Sequence, residues 1–201
     1  MIDIENYIGN INSKFPQIDN LQPWEIIDNL EKLLLQIIKT LDNNYKIENN
    51  IAIHETATIE QGVILKGTII ISENCFVGAN AYLRGPILLS NSVKIGPSSE
   101  IKQSIIFDNS AIAHFNYIGN SIIGQNINFE AGSICANLYN ERHDKRIFIT
   151  RNNQIIDTKT EKFGSLVGDN SKIGANAVLS PGTILEKNSI VKRLELIEQI
   201  K

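Results

Sequence analysis

The sequence predicts a mainly β protein, a parallel β-helix wound from six-residue repeats behind an N-terminal amphipathic helix. Three observations predict it. The 201-residue chain holds 37 isoleucines and many Asn and Gly. Ile favours strands, and Asn and Gly tolerate the positive φ of tight turns, so many short strands alternate with many turns. From residue 53 the positions 53, 59, 65, 71, 77, 83, 89, 95, 101, 107 and 113 read Ile, Ile, Leu, Ile, Val, Leu, Leu, Ile, Ile, Phe and Ala. Four residues after each stands a second apolar or small series, from Ala57, Val63, Ile69 and Cys75 to Ile105, Ala111 and Tyr117. A period of six is neither the two of a strand nor the 3.6 of a helix; over this length it marks a hexapeptide β-helix. Three hexads close one triangular coil of 18 residues. The aliphatic residue fills the interior, the small one turns the corner, and successive coils pair about 4.8 Å apart.

Residues 1–20 are mixed and polar, and little structure is expected there. In LQPWEIIDNLEKLLLQIIKTLDNN, apolar residues at 27, 30, 34, 37, 38 and 41 follow helical spacing. Pro23 suits a first turn and Glu25 the positive helix end, which predicts one helix of roughly five turns. The N-terminal helical segment is thus 1–50 and the β-helix 51–193. The repeat slips near Ile118 and Ile123, resumes at Phe129 and Cys135, and returns at Val167, Ile173, Leu179, Leu185 and Val191. Between them, 138–164 is an excursion in which RIFIT and QIIDT flank Asn152-Asn153 as a hairpin. Residues 194–201 are expected to form a short helical tail over the last coil.

Apolar residues make up 42 %, charged residues 20 %, and the net charge is −3. This balance supports a packed core and argues against nucleic acid or an anionic membrane as main partner. No apolar run is long enough to span a bilayer, and MIDIENYIGN lacks the pattern of a signal peptide. Cys75 and Cys135 make neither a disulfide framework nor a metal site. A cytoplasmic protein is expected, with no catalytic metal.

Residues 18 apart should stack. One column then holds Lys66, Arg84 and Lys102, three cations that repel at such spacing. It is either a solvated basic face or an anion site suited to phosphate. Another column holds Glu60, Gly78, Gly96 and His114, which would leave bare backbone beneath a histidine.

The segment EIKQSIIFDNSAIAHFNYIGNSIIGQNINFEAGSICANL, with AYLRGP upstream, resembles the C-terminal acetyltransferase domain of bifunctional glucosamine-1-phosphate N-acetyltransferase/N-acetylglucosamine-1-phosphate uridylyltransferases. The archaeal sugar-1-phosphate branch is most alike, over residues 50–193. The resemblance implies a left-handed coil, a cytoplasmic homotrimer with sites between subunits, and a place in nucleotide-sugar biosynthesis. It implies acetyl transfer from acetyl-CoA to an amino-sugar 1-phosphate, with His114 as general base. Arg84 and Lys102 would hold the phosphate, and Tyr117, Asn128 and Glu100 the sugar. Ala131, Asn137, Ala175 and Arg193 would line the coenzyme path, with Lys145 as the loop lysine. Glu130, Leu138 and Ala175 depart from the family's usual Gly, aromatic residue and Ser. The family's nucleotidyltransferase domain has no counterpart here, so uridylyl transfer is not expected. The alternatives are a non-catalytic module binding a sugar nucleotide or a partner, and an acyltransferase for another amino sugar or a hydroxyl.

Overall fold

The computed structural model describes residues 1–16, 18, 20–151 and 154–199. The chain forms the expected left-handed parallel β-helix of hexapeptide repeats. The first wall stacks Thr58–Ile59, Phe76–Val77, Lys94–Ile95, Ala111–Ile112, Asn128–Phe129, Lys172–Ile173 and Ile190–Val191. The second stacks Ile64–Lys66, the starts of Tyr82–Leu89 and Glu100–Ile106, then Tyr117–Gly119, Ile134–Cys135, Val178–Leu179 and Leu196–Ile197. The third carries Ile51–His54, Ile69–Ile71, the ends of those two long strands, Ile122–Ile123, Ser165–Val167 and Thr183–Leu185. Tyr45–Glu48 pairs antiparallel with Ile51–His54 at the first coil.

The prism interior is a ladder of buried aliphatic residues, among them Val77, Ile95, Ile112, Phe129 and Ile173 from the first wall and Leu83, Ile101, Ile118, Cys135 and Leu179 from the second. Positive-φ residues mark its corners; Asn74, Asn80, Asn109, Asn126, Asn170, Asn176 and Asn188 all take this conformation, as the Asn-rich composition predicts. Burial pushes the inward Cys75 and Cys135 thiols up, to about 11 and about 12.

One expectation about phase is corrected. Ala111 pairs with Lys94 and with Asn128, steps of 17 rather than 18. The chain sheds a residue between the inward Ile101 and Ile106, and another between Ile118 and Ile123. Phe107 keeps the six-residue spacing but points outward, edge-on to Phe15 at 6.5 Å.

Over its middle coils the third wall is buried on both faces, which explains apolar strands such as Ile69–Ile71 and Ile122–Ile123. Its outward Ile70, Leu88, Ile105, Ile122 and Leu166 pack against Ile26, Ile27, Leu30 and Leu34 of the N-terminal segment. The expected single helix is two, Pro23–Asp28 and Leu30–Ile38. They break at Asn29, whose side-chain amide donates to the Glu25 carbonyl at 2.8 Å, inside the helical ladder. Residues before it are better ordered than expected. They form the short helices Ile4–Asn6 and Ile11–Lys14, and bury Ile2, Tyr7, Ile8, Ile11 and Phe15. Asp169, itself buried, receives the Gly9 N–H at 2.9 Å and ties this strap to the prism.

In the excursion, Phe148–Arg151 pairs antiparallel with Gln154–Asp157, as a hairpin requires; the expected turn at 152–153 lies outside the described residues. Its ends are pinned to the third wall by buried Tyr139 and Phe163, and Trp24 meets Phe163 edge-on at 6.0 Å. The expected helical tail is corrected: Leu196–Ile197 continues the coil, paired with Val178–Leu179, and residues 200–201 lie outside the described residues. Ile197 stands six residues after Val191, so the repeat itself dictates a strand there.

Candidate functional site

The cation column forms as expected. Lys66 pairs in register with Arg84, and Arg84 with Lys102, on the second wall. Two of the three charges are compensated. Arg84 forms an ion pair with Glu100, and the Lys66 ammonium and Arg84 guanidinium lie 5.2 and 5.5 Å from the centre of the Tyr82 ring. Lys102 makes no ion pair among the described residues. Burial, then Lys162, then Arg84 pull its ammonium below the ordinary lysine range, against the smaller opposing pull of Glu100. A half-buried cation crowded by two others would be relieved by an anion beside it.

Lys162 went unnoticed in the sequence reading, which chose Lys145 as the loop lysine. Lys145 lies on the outgoing arm of the excursion. Lys162 lies on its return, two residues before Gly164, whose N–H donates to the Asn120 carbonyl at 2.9 Å. That contact rejoins the excursion to the coil beside Lys102.

Tyr117 continues the column of Tyr82 and Glu100. Its ring lies across Gly119, where a β-carbon would stand 2.6 Å from the phenol oxygen. The phenol donates to Asn137 Oδ1 at 3.2 Å, and the Asn137 amide donates to Asn120 Oδ1 at 2.6 Å. Burial and Glu100 hold the phenol above the ordinary tyrosine range, so it is protonated at neutral pH. Asn137, expected on the coenzyme path, is only 9 % exposed and belongs to this tyrosine network.

His114 does not stand over Gly96. The 17-residue coil places Ala113 there, so close that a β-carbon on Gly96 would lie 1.6 Å from the Ala113 carbonyl oxygen. His114 is one residue further on, at the corner between first and second walls. Phe115 N–H donates to the Pro97 carbonyl and Gly132 N–H to the His114 carbonyl. The same pattern continues from Asn176 to Ala131 and from Leu194 to Ala175. One corner column therefore stacks Pro97, His114, Ala131, Ala175 and Arg193. The imidazole is exposed and meets the Phe115 ring edge-on at 5.6 Å.

On the first wall, Asn128, Glu130, Lys172, Gly174, Lys192 and Arg193 line an open groove of about 700 Å³. Glu130 fills part of it. Its Oε2 accepts the Ala175 N–H at 2.9 Å and Arg193 Nε at 2.8 Å, and its Oε1 accepts Arg193 Nη2 at 2.9 Å. Arg193 and the Ala175 amide hold this carboxyl below the usual carboxylate range.

The expected residues thus form two groups. Arg84, Glu100, Lys102 and Tyr117 face out from the second wall, and Asn128 from the first, with the His114 column on the corner between them. Side chains on two walls of a prism diverge across a convex corner. Among the described residues no three His, Cys, Asp or Glu side chains converge as metal ligands, and no helix is long and apolar enough to cross a membrane.

Comparison with known proteins matches residues 47–137 to the GMPPB C-terminal domain and residues 166–192 to the hexapeptide repeat of succinyl-transferase. The bifunctional protein GlmU of Methanococcus maripaludis strain C7 is 45 % identical over 175 residues, covering 84 % of this chain and 41 % of that protein. A bifunctional sugar-1-phosphate nucleotidylyltransferase/acetyltransferase of Sulfurisphaera tokodaii is 33 % identical over 166 residues, 80 % of this chain and 41 % of that one. The chain therefore spans about two fifths of the length of these curated relatives. An Arabidopsis UDP-N-acetylglucosamine acyltransferase structure superposes with a TM-score of 0.37 at 15 % identity, over 77 % of this chain and 62 % of that one.

Proposed function

We propose that this chain, a hexapeptide-repeat protein related to the C-terminal half of GlmU-type bifunctional enzymes, is an acyltransferase. It moves acetyl from acetyl-CoA to the amine of an amino-sugar 1-phosphate such as glucosamine 1-phosphate. The observation that carries this reading is the unpaired Lys102, in register with Arg84 and crowded by Lys162, one wall away from the His114 column. Arg84, Lys102 and Lys162 bind the phosphate, and Tyr117 and Asn128 contact the sugar. This fixes the amine relative to the thioester, which is worth several orders of magnitude in rate. The imidazole of His114 accepts a proton as the amine nitrogen attacks the thioester carbon. The Ala131 N–H steadies the oxyanion. The C–S bond then breaks and the thiolate takes the proton back. No covalent enzyme intermediate and no metal are required.

Because the two groups diverge on one prism, a ligand touching both lies between copies. The working unit is a homotrimer with a site in each cleft, acting in the cytoplasm. In a thiol-release assay, His114→Ala should lower kcat by roughly 10²- to 10⁴-fold with acetyl-CoA binding and the trimer intact. Unchanged turnover would remove the histidine from the mechanism.

One observation favours a second reading, a binding module without catalysis: Glu130 occupies both Arg193 and the Ala175 N–H. Calorimetric titration with acetyl-CoA separates the two, since the module does not bind it. Profiling other amino sugars and hydroxyl acceptors in the same assay tests the choice of substrate.

A further inference from the structure

We infer that Asn120 is a positioning residue for the sugar-phosphate contact Tyr117, acting through Asn137. It is buried, with 1 % of its surface exposed, and takes a left-handed backbone at φ 46°. Three of its polar groups reach different parts of the site. Its N–H donates to the Lys102 carbonyl at 2.9 Å, on the strand that carries the cation. Its carbonyl accepts the Gly164 N–H at 2.9 Å, where the arm bearing Lys162 rejoins the coil. Its side-chain oxygen accepts the Asn137 amide at 2.6 Å, and Asn137 in turn accepts the Tyr117 phenol proton.

The direction of this relay has a chemical consequence. Asn120 takes the Asn137 amide N–H, so the Asn137 oxygen is turned to Tyr117 and the phenol must donate to it. The phenol oxygen then presents lone pairs to the cleft, where it accepts an N–H or O–H of the ligand. A side chain at position 120 that only accepts keeps this polarity; one that cannot accept releases Asn137 and lets the Tyr117 hydroxyl turn. Glycine suits the positive φ, so Asn120→Gly removes the relay without backbone strain.

The inference rests on the proposed role of Tyr117, and its test separates the two. The Tyr117 titration is isolated as the ultraviolet difference between each protein and its Tyr117→Phe counterpart, with no substrate present. A donated hydrogen bond stabilises the neutral phenol, so Asn120→Gly should move this titration to lower pH, and Asn120→Asp should restore it. Asn137→Ala should reproduce the Asn120→Gly shift. An unshifted curve in both Asn120→Gly and Asn137→Ala overturns the inference. With glucosamine 1-phosphate, Asn120→Gly should raise KM about tenfold, the worth of one ordered hydrogen bond, with kcat nearly unchanged. In the Tyr117→Phe background it should add nothing. An equal rise in both backgrounds means that Asn120 acts through folding alone and overturns the positioning role. A wild-type protein without transferase activity defeats the functional reading, while the titration still decides the relay.

Discussion

The Tyr117 ring rests on the backbone of Gly119, with only 2.6–2.8 Å between its phenol end and the place a β-carbon would occupy. In the register of the second wall, Gly119 succeeds Lys102 above Lys66 and Arg84. The missing side chain thus ends the run of cations and leaves room for the Tyr117 ring. The Tyr117 ring and Lys102 occupy neighbouring coils of one wall for that reason.

Gly119→Ala should displace the ring while leaving the prism whole, because the strand conformation there suits alanine and the clash is with a side chain. The expected outcome is a loss of glucosamine 1-phosphate affinity comparable to that of Tyr117→Phe, with acetyl-CoA affinity retained. Calorimetry with each ligand, on protein of unchanged circular dichroism, checks it. Full sugar-phosphate affinity in this variant would mean the ring position is irrelevant to binding.

The proposed role of Lys102 carries a consequence for stability. Its ammonium sits below the ordinary lysine range in the fold, chiefly through burial, with repulsion from Lys162 and Arg84. A base whose folded pKa is lowered makes the folded state less stable wherever the group is charged in the fold, so the penalty is full at neutral pH. It fades as pH rises through the lowered pKa towards that of the unfolded chain. Lys102→Met should therefore raise Tm at neutral pH, with a gain that shrinks in alkali, and should lose sugar-phosphate binding. Inorganic phosphate should raise Tm of the wild type and not of this variant. A lower Tm for Lys102→Met at neutral pH would contradict the anion-seat reading.

How much of this was legible in the sequence depends on where the coil keeps its count. Lys66, Arg84 and Lys102 are separated by two full 18-residue coils, so arithmetic alone stacks them. His114 lies beyond the first shortened coil, and arithmetic misplaces it by one. The shortening was hidden by Phe107, which is apolar for a different reason: it serves the outer core with Phe15 rather than the prism interior. On a wall buried from both sides, an apolar residue carries no information about which side it faces. The N-terminal strap was within reach, since its buried Ile4, Ile8, Ile11, Phe15 and Ile18 keep helical spacing, although the chain there forms only short helices. Lys162 was missed because its place depends on where a long excursion rejoins the coil, which Gly164 and Asn120 decide through a backbone hydrogen bond. The strand at Leu196–Ile197 was within reach, since the six-residue count runs straight through it.

The clasp between Glu130 and Arg193 gives the last prediction. Arg193 stands in the His114 column, where the proposed coenzyme path runs, yet its Nε–Nη2 edge is taken up by Glu130. The Glu130 carboxyl is held below the usual range by Arg193 and the Ala175 amide, so it stays ionised throughout the neutral range. Glu130→Gln keeps an oxygen for the Ala175 N–H but surrenders the charge. It should release Arg193 to the phosphates of acetyl-CoA and lower the KM for acetyl-CoA roughly two- to fivefold, the scale of an exposed ion pair. The KM for the sugar phosphate, bound on the other wall, should not move. Initial rates with each substrate varied in turn measure both. A KM for acetyl-CoA that stays level or rises would place Arg193 outside the coenzyme path and leave the clasp as a brace between the last coils.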